Sequence, residues 1–324
     1  RLGTTDAFFR DRLTGRFETD ATTASRTSLM DLRRLDWDAE LCALFGVPIE
    51  CLPRITPSTG DLGGVLAGGR PVPLAASLVD QQAATWGHGC RTPGDAKITF
   101  GTGAFAFALA GDRPPADPQG ALPTLAWARA GEAPAYALDG GVYAAGSAVD
   151  WARGLGLFGD LAALNDLPGE PAIARGLAFV PALAGLACPH WNRRARGAWL
   201  GLDLASGPRD LMAALLEGIA FRMAEVIEAM GRAVPIRGPV SIDGGLSANP
   251  WFCATLAAAL GRPLRVSAEP ELTALGAALL AAEAAGLAVA PRDAGRLVEP
   301  ASDLRPWRPR FAAARAAVEG YGAA

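Results

Sequence analysis

One segment limits the folds open to this chain more than any other: Val240-Ser241-Ile242, then Asp243-Gly244-Gly245, then Asn249-Pro250. A short apolar run leaves directly into two glycines, and a helix start follows. Asn is a favoured N-cap and Pro a favoured first helical residue. Ile98-Thr99-Phe100 and residues 104–109 flank Gly101-Thr102-Gly103, which reads as a hairpin around a Gly-rich loop. Strands are expected again over 124–129 and 135–138, and Gly140-Gly141 turns into a helix from about 143 to 154. Strands alternating with helices define an α/β fold.

The first third is less regular. Ala7-Phe8-Phe9 and Leu13 predict a helix stopped by Thr14-Gly15, and a second short helix is expected over 36–44. Residues 53–69 are rich in Gly, Pro and Ser and read as loop. The apolar run 72–79 predicts a buried strand that stops at Asp80-Gln81-Gln82. A linker-like stretch, 87–94, places a domain boundary near residue 88. Residues 273–290 are mostly Ala, Leu and Gly around Glu283, and predict a buried helix rather than a membrane span.

Composition removes several function classes. The net charge is −3, which does not suit a nucleic-acid-binding surface. Lys97 is the only lysine and lies in Asp-Ala-Lys-Ile-Thr, so no Walker-type phosphate loop is present. The five cysteines form no C-x-x-C pair, which fits reduced thiols in a cytoplasmic protein. Two histidines are too few for a His-rich zinc site.

The candidate site residues fall into four groups. Asp80, at the end of an expected strand, could accept a proton as general base, although an Asp that caps a turn is the commoner explanation of one such residue. The loop around Thr102 and Gly103 could bring backbone N–H groups to a phosphate, or could simply close a hairpin. Gly245 and Asn249 sit where a strand hands over to a helix N-terminus, which suits a nucleotide and equally a tight turn. Gly146 and Asp150 form a weaker group, for which close helix packing is the simpler reading.

Taken in order, these segments resemble the FGGY carbohydrate kinases, glycerol-kinase-like members included. Thr19-Asp20 and Leu35-Asp36-Trp37-Asp38 resemble the end of that family's first domain. Val79-Asp80-Gln81-Gln82-Ala83-Ala84 resembles its catalytic G-D-Q-Q-A-A, and Phe100-Gly101-Thr102-Gly103-Ala104-Phe105 its second phosphate loop. Pro189-His190-Trp191 with Ala195-Arg196-Gly197 resembles P-Y-W-D-x-x-A-R-G. Gly197, Trp199, Gly201, Leu202, Asp210, Leu211, Ala214 and Glu217 follow the long C-terminal signature, and Asp243 to Asn249 the adenosine motif.

The resemblance implies a two-domain fold of the actin-like ATPase and sugar kinase type, with ribonuclease-H-like cores and an incomplete first domain. Residues 1–88 would be the C-terminal portion of the sugar-binding domain, 89–299 the ATP-binding domain and 300–324 a helical tail. ATP and Mg²⁺ would lie between the domains, with a small sugar or polyol as acceptor. Asp80 would be the general base, Gln81 would touch the acceptor hydroxyls and Phe105 would line the pocket. Thr102, Gly103, Gly146, Asp150, Gly245 and Asn249 would hold the nucleotide. A homodimer is compatible with this expectation, and neither nucleic acid nor membrane is expected as a partner.

The family's first phosphate loop, an Asp-x-Gly-Thr-Thr hairpin, is expected ahead of Arg1, because the chain opens as the interior of a longer protein would. The alternatives are therefore an inactive fragment or a non-catalytic nucleotide-binding relative. Ala21 stands where glycerol kinases carry Tyr, Asn192 and His190 replace the Asp and Tyr of P-Y-W-D, and Asp150 replaces a Gln. Loss of the aromatic wall opens the pocket to a longer polyol or a ketose.

Overall fold

The computed structural model describes residues 1–290 and 295–323. Residues 291–294 and Ala324, which fall in the expected 89–299 unit and the 300–324 tail, lie outside the described residues. The chain starts with α1 (Thr5–Thr14), β1 (Glu18–Asp20) and α2 (Ala21–Ala24). The pair β2 (Met30–Asp31) and β3 (Asp36–Trp37) follows, then α3 (Ala39–Leu44) and β4 (Arg54–Thr56). A hairpin, β5 (Gly64–Ala67) and β6 (Arg70–Pro73), leads into α4 (Asp80–Gly87). Gly15 ends α1 in the left-handed conformation, at φ 72°, as a glycine stop should.

The larger part is built on β7 (Ala96–Phe100), β8 (Ala104–Gly111), β9 (Leu122–Trp127) and β10 (Ala135–Val142), then α5 (Gly146–Gly154). A small pair, β11 (Ala178–Val180) and β12 (Ala198–Leu200), precedes the long α6 (Pro208–Ala233). β13 (Val240–Gly244), α7 (Pro250–Leu260), β14 (Leu264–Val266), α8 (Leu272–Ala284), β15 (Arg296–Val298) and α9 (Arg308–Ala323) complete it. Seven strands form one mixed sheet in the order β15-β14-β13-β7-β8-β10-β9.

The sheet carries helices on both faces. On one, Val226 and Met230 of α6 close over Gly140, where an added Cβ would lie 3.1 and 3.0 Å from them. On the same face Phe252 of α7 meets Phe100 edge-on at 5.0 Å. On the other, Trp86 of α4 packs edge-on against Trp127 at 4.8 Å, and Leu280 of α8 joins the same cluster. α6 starts where the sequence dictates: Pro208 is its first residue, and the Asp210 carboxylate accepts the Gly207 N–H at 3.0 Å.

Several expectations need correction. Residues 72–79 are not a buried strand. β6 ends at Pro73, its residues are exposed, and Pro71 and Pro73 lack the N–H groups that a central strand would donate. Residues 53–69 are not all loop, since β4 pairs in parallel with β1 and β5 forms a hairpin with β6. The helix expected over 36–44 starts at Ala39, because Asp38 caps it by accepting from the Glu40 and Leu41 N–H groups. The helix expected from 143 starts at Gly146.

The helix expected over 273–290 ends at Ala284, and only Leu272, Gly276 and Leu280 are buried. Its small residues serve a close crossing instead. A Cβ on Gly276 would lie 1.8 Å from the Ala83 carbonyl oxygen, and one on Gly87 would lie 2.4 Å from that of Leu272. Among the described residues no helix is long and apolar enough to cross a membrane.

Candidate functional site

The strand register assembles one face of the sheet. Asp139, Phe107, Lys97 and Ser241 lie in one row across β10, β8, β7 and β13. Gly141, Phe105, Thr99 and Asp243 form the next row. The Phe105 ring lies over Gly141, where a Cβ would come within 2.7 Å of it, and the side chain is 39% exposed. The missing side chain of Gly141 thus makes room for a ring whose edge is open to solvent.

α4 covers the first row. Asp80 is its first residue and is exposed, and its Oδ1 accepts the Gln81 N–H at 2.7 Å. The expected position at a strand end is therefore a helix start. Gln82 is buried and donates to the Leu125 carbonyl oxygen at 2.8 Å, which fixes the helix on the sheet. Gln81 accepts from the ammonium of Lys97 through Oε1, and the same ammonium donates to the Thr99 hydroxyl at 2.9 Å.

This face concentrates charge. Burial pushes the Lys97 ammonium below its ordinary range, against the pull of Asp243, Asp139 and Asp80. Burial raises the Asp139 carboxyl, although Arg26 pairs with it at 2.8 Å and Lys97 also favours its charge. Burial likewise raises Asp243, but His88, Thr99 and Lys97 outweigh it and hold that carboxyl below the ordinary range. His88 Nε2 lies 3.6 Å from Asp243 Oδ1.

The glycine motifs meet at one end of β7 and β13. The Gly101–Gly103 turn is docked on the start of α5: the Ala145 and Ser147 N–H groups donate to the Thr102 carbonyl oxygen, and the Gly146 N–H donates to that of Gly101. A Cβ on Gly146 would lie 2.5 Å from the Gly101 oxygen, so this glycine permits the docking. Gly103 is enclosed in the same way, with a Cβ position 2.8 Å from the Val142 oxygen, whereas Thr102 is exposed. Gly244 pairs with Phe100 beside this turn and needs its glycine twice over. Its φ is +88°, and a Cβ would lie 2.2 Å from the Phe100 oxygen.

Gly245 differs from its neighbour: it is exposed, and a Cβ there meets nothing within 4 Å. The Asn249 Oδ1 caps α7 by accepting the Phe252 N–H at 2.7 Å. Asp150 is exposed on α5, pairs with Arg153 at 3.1 Å and is the site residue least tied to the others. Sequence reasoning passed over Lys97 and Asp139. Lys97 carried a signal, as the single lysine in an Arg-rich chain, whereas nothing local marked Asp139.

A mixed sheet with helices on both faces, a smaller α/β unit before it and glycine turns at one end make up the fold of the two-domain α/β sugar kinases. The model of the FGGY family of carbohydrate kinases matches with its N-terminal domain at residues 1–87 and with its C-terminal domain at 96–285. A glycerol kinase of Thermus brockianus is 43% identical over 282 residues, which is 86% of this chain and 57% of that protein. One of Cereibacter sphaeroides is 38% identical over 322 residues, 97% of this chain and 64% of that protein. The crystal structure of Plasmodium falciparum glycerol kinase with ADP superposes with a TM-score of 0.86 at 28% identity, over 98% of this chain and 66% of that one. A xylulose kinase of Rhodospirillum rubrum shares the fold, with a TM-score of 0.84 at 23% identity over 99% of this chain and 68% of that one. The chain belongs to the FGGY family of carbohydrate kinases, and it spans 57% and 64% of the two curated relatives named.

Proposed function

We propose that this chain carries the acceptor-side base and the nucleotide cradle of a kinase that moves the γ-phosphoryl group of ATP to a hydroxyl of a small carbohydrate or polyol. The observation that carries the reading is the exposed Asp80 carboxylate at the start of α4, beside Gln81 and above the face that bears Phe105. A carboxylate so placed accepts the acceptor's hydroxyl proton as its oxygen attacks phosphorus. Gln81 orients the acceptor, and the open edge of Phe105 meets its carbon skeleton.

The nucleotide fits at the other glycine cluster. The space in front of Gly245 is empty and its own side chain is absent, so a flat or anionic group can come against the backbone. The docked Gly101–Gly103 turn offers the exposed Thr102 hydroxyl to a phosphate, and Gly146 contributes by holding that turn. Asn249 keeps its amide nitrogen available while its oxygen caps α7. Asp150 reaches the nucleotide from α5.

Among the described residues no three His, Cys, Asp or Glu side chains converge on a metal position. Mg²⁺ would arrive with the phosphates, held by a carboxylate such as Asp243, and would neutralise phosphate charge. The test is coupled ADP release from Mg-ATP against a panel of polyols and ketoses. Acceptor-dependent release supports the reading, and ADP release indifferent to every acceptor contradicts it.

A further inference from the structure

The chain's only lysine is also one of its most deeply buried polar side chains. Lys97 is fully buried in β7, the middle strand of the sheet, while the other residues of the Lys and Arg class are all Arg. A guanidinium is planar, longer and donates through a rigid fork, whereas an ammonium is compact and can turn its three donors to fit. A bland role is available: a counter-charge for the acidic groups of this face. The hydrogen bonds do not follow that role. They run to the Gln81 amide oxygen and the Thr99 hydroxyl, while the acidic group Asp139 has its own partner in Arg26.

An ammonium has donors and no acceptor, so its contact with Gln81 settles which end of the carboxamide faces it. The oxygen is taken up beneath α4, and the amide nitrogen is the end left for a ligand. We propose that Lys97 is a positioning residue for the acceptor: it turns the Gln81 carboxamide so that Nε2 donates to an acceptor oxygen. This rests on the reading of Asp80 and Gln81 as the acceptor side of a kinase site. It adds a division of labour between two adjacent residues. Gln81 offers donors only, so it recognises a hydroxyl oxygen through its lone pairs, whereas Asp80 offers acceptors only and takes a hydroxyl proton. The acceptor class that satisfies both carries oxygens on neighbouring carbons, as polyols and ketoses do. Without Lys97 the carboxamide is free to flip, and half of its orientations set an acceptor oxygen against the substrate oxygen.

The experiment is steady-state ADP release by the protein with glycerol, ribitol and D-xylulose as probes. ADP affinity and melting temperature are measured alongside. Lys97→Met, Gln81→Ala, their double variant and Asp80→Asn are compared. Lys97→Met should raise the acceptor KM about tenfold and leave ADP affinity within about twofold. The double variant should be no worse than Gln81→Ala, because both changes remove the same donor. An unchanged acceptor KM, or losses that multiply in the double variant, would overturn the inference and leave Lys97 as a counter-charge. If Lys97→Met does not fold, Gln81→Glu replaces it: the carboxylate keeps the contact to Lys97 but has no donor. Its acceptor KM should rise by a similar factor without a lower melting temperature, and an unchanged KM overturns the inference. Turnover that survives Asp80→Asn, or that is absent with every probe, overturns the reading of the site itself. Turnover lost in Asp80→Asn but untouched in Lys97→Met overturns the Lys97 inference alone.

Discussion

The Val79 N–H donates to the Thr22 hydroxyl at 2.9 Å, and that hydroxyl donates in turn to the buried Asp20 carboxylate at 2.5 Å. The chain immediately before Asp80 is thus tied to α2. Asp20 caps α2 through the Thr22 and Thr23 N–H groups, and burial pushes its carboxyl up to about 6. Thr22→Val keeps the shape but leaves the Val79 N–H and one Asp20 oxygen without this partner. A stability loss of about 1–3 kcal/mol is expected in chemical denaturation. Turnover should fall as well, since the start of α4 loses its anchor. A variant of native stability and turnover would show that the contact does not hold Asp80.

Gly244 and Gly245 should respond in opposite ways to a side chain. Gly244→Ala sets a Cβ against the Phe100 oxygen at a positive φ, and should cost about 2 kcal/mol or more in stability. A Cβ at Gly245 meets no protein atom within 4 Å, so Gly245→Leu should leave the fold unchanged while ADP binding weakens at least about tenfold. Titration calorimetry with ADP, beside thermal melting, separates the two. A folded Gly245→Leu protein with native ADP affinity would remove Gly245 from the nucleotide site.

Glu217 gives the fold a pH dependence. It is buried in α6 and accepts the Ala172 and Ile173 N–H groups at 2.7 and 3.0 Å. Burial outweighs these bonds and raises its carboxyl from 4.5 to about 7. The folded state therefore binds this proton more tightly than the unfolded chain does. The contribution of Glu217 to stability is greatest below pH 4.5 and declines as pH rises to about 7, by about 3 kcal/mol at most. Urea denaturation across that window should show the decline in the native protein and a flatter profile in Glu217→Gln. Parallel profiles would rule out Glu217 as the source.

Local signals made much of this fold legible. The glycine stop at Gly15, the hairpin around Gly101–Gly103 and the Asn249 cap depend on residues within a few positions, and the structure has all three. What escaped depends on distant partners. Apolar residues 72–79 read as a strand because hydropathy does not register the missing N–H groups of Pro71 and Pro73. Residues 273–290 read as buried because a helix that must pass close to another backbone at Gly276 uses the same small residues as a core helix. The candidate site was legible as separate motifs. The face that joins them was not, since the register that sets Asp139 beside Phe107, Lys97 and Ser241 is a property of the whole sheet.

The most direct measurement is acceptor-dependent ADP release by the protein and by Asp80→Asn, with ADP affinity measured on both. Proton transfer to Asp80 predicts a fall in kcat of at least about a hundredfold with ADP affinity unchanged. An Asp80→Asn protein that keeps most of its turnover would contradict the general-base role and the reading of the site built on it.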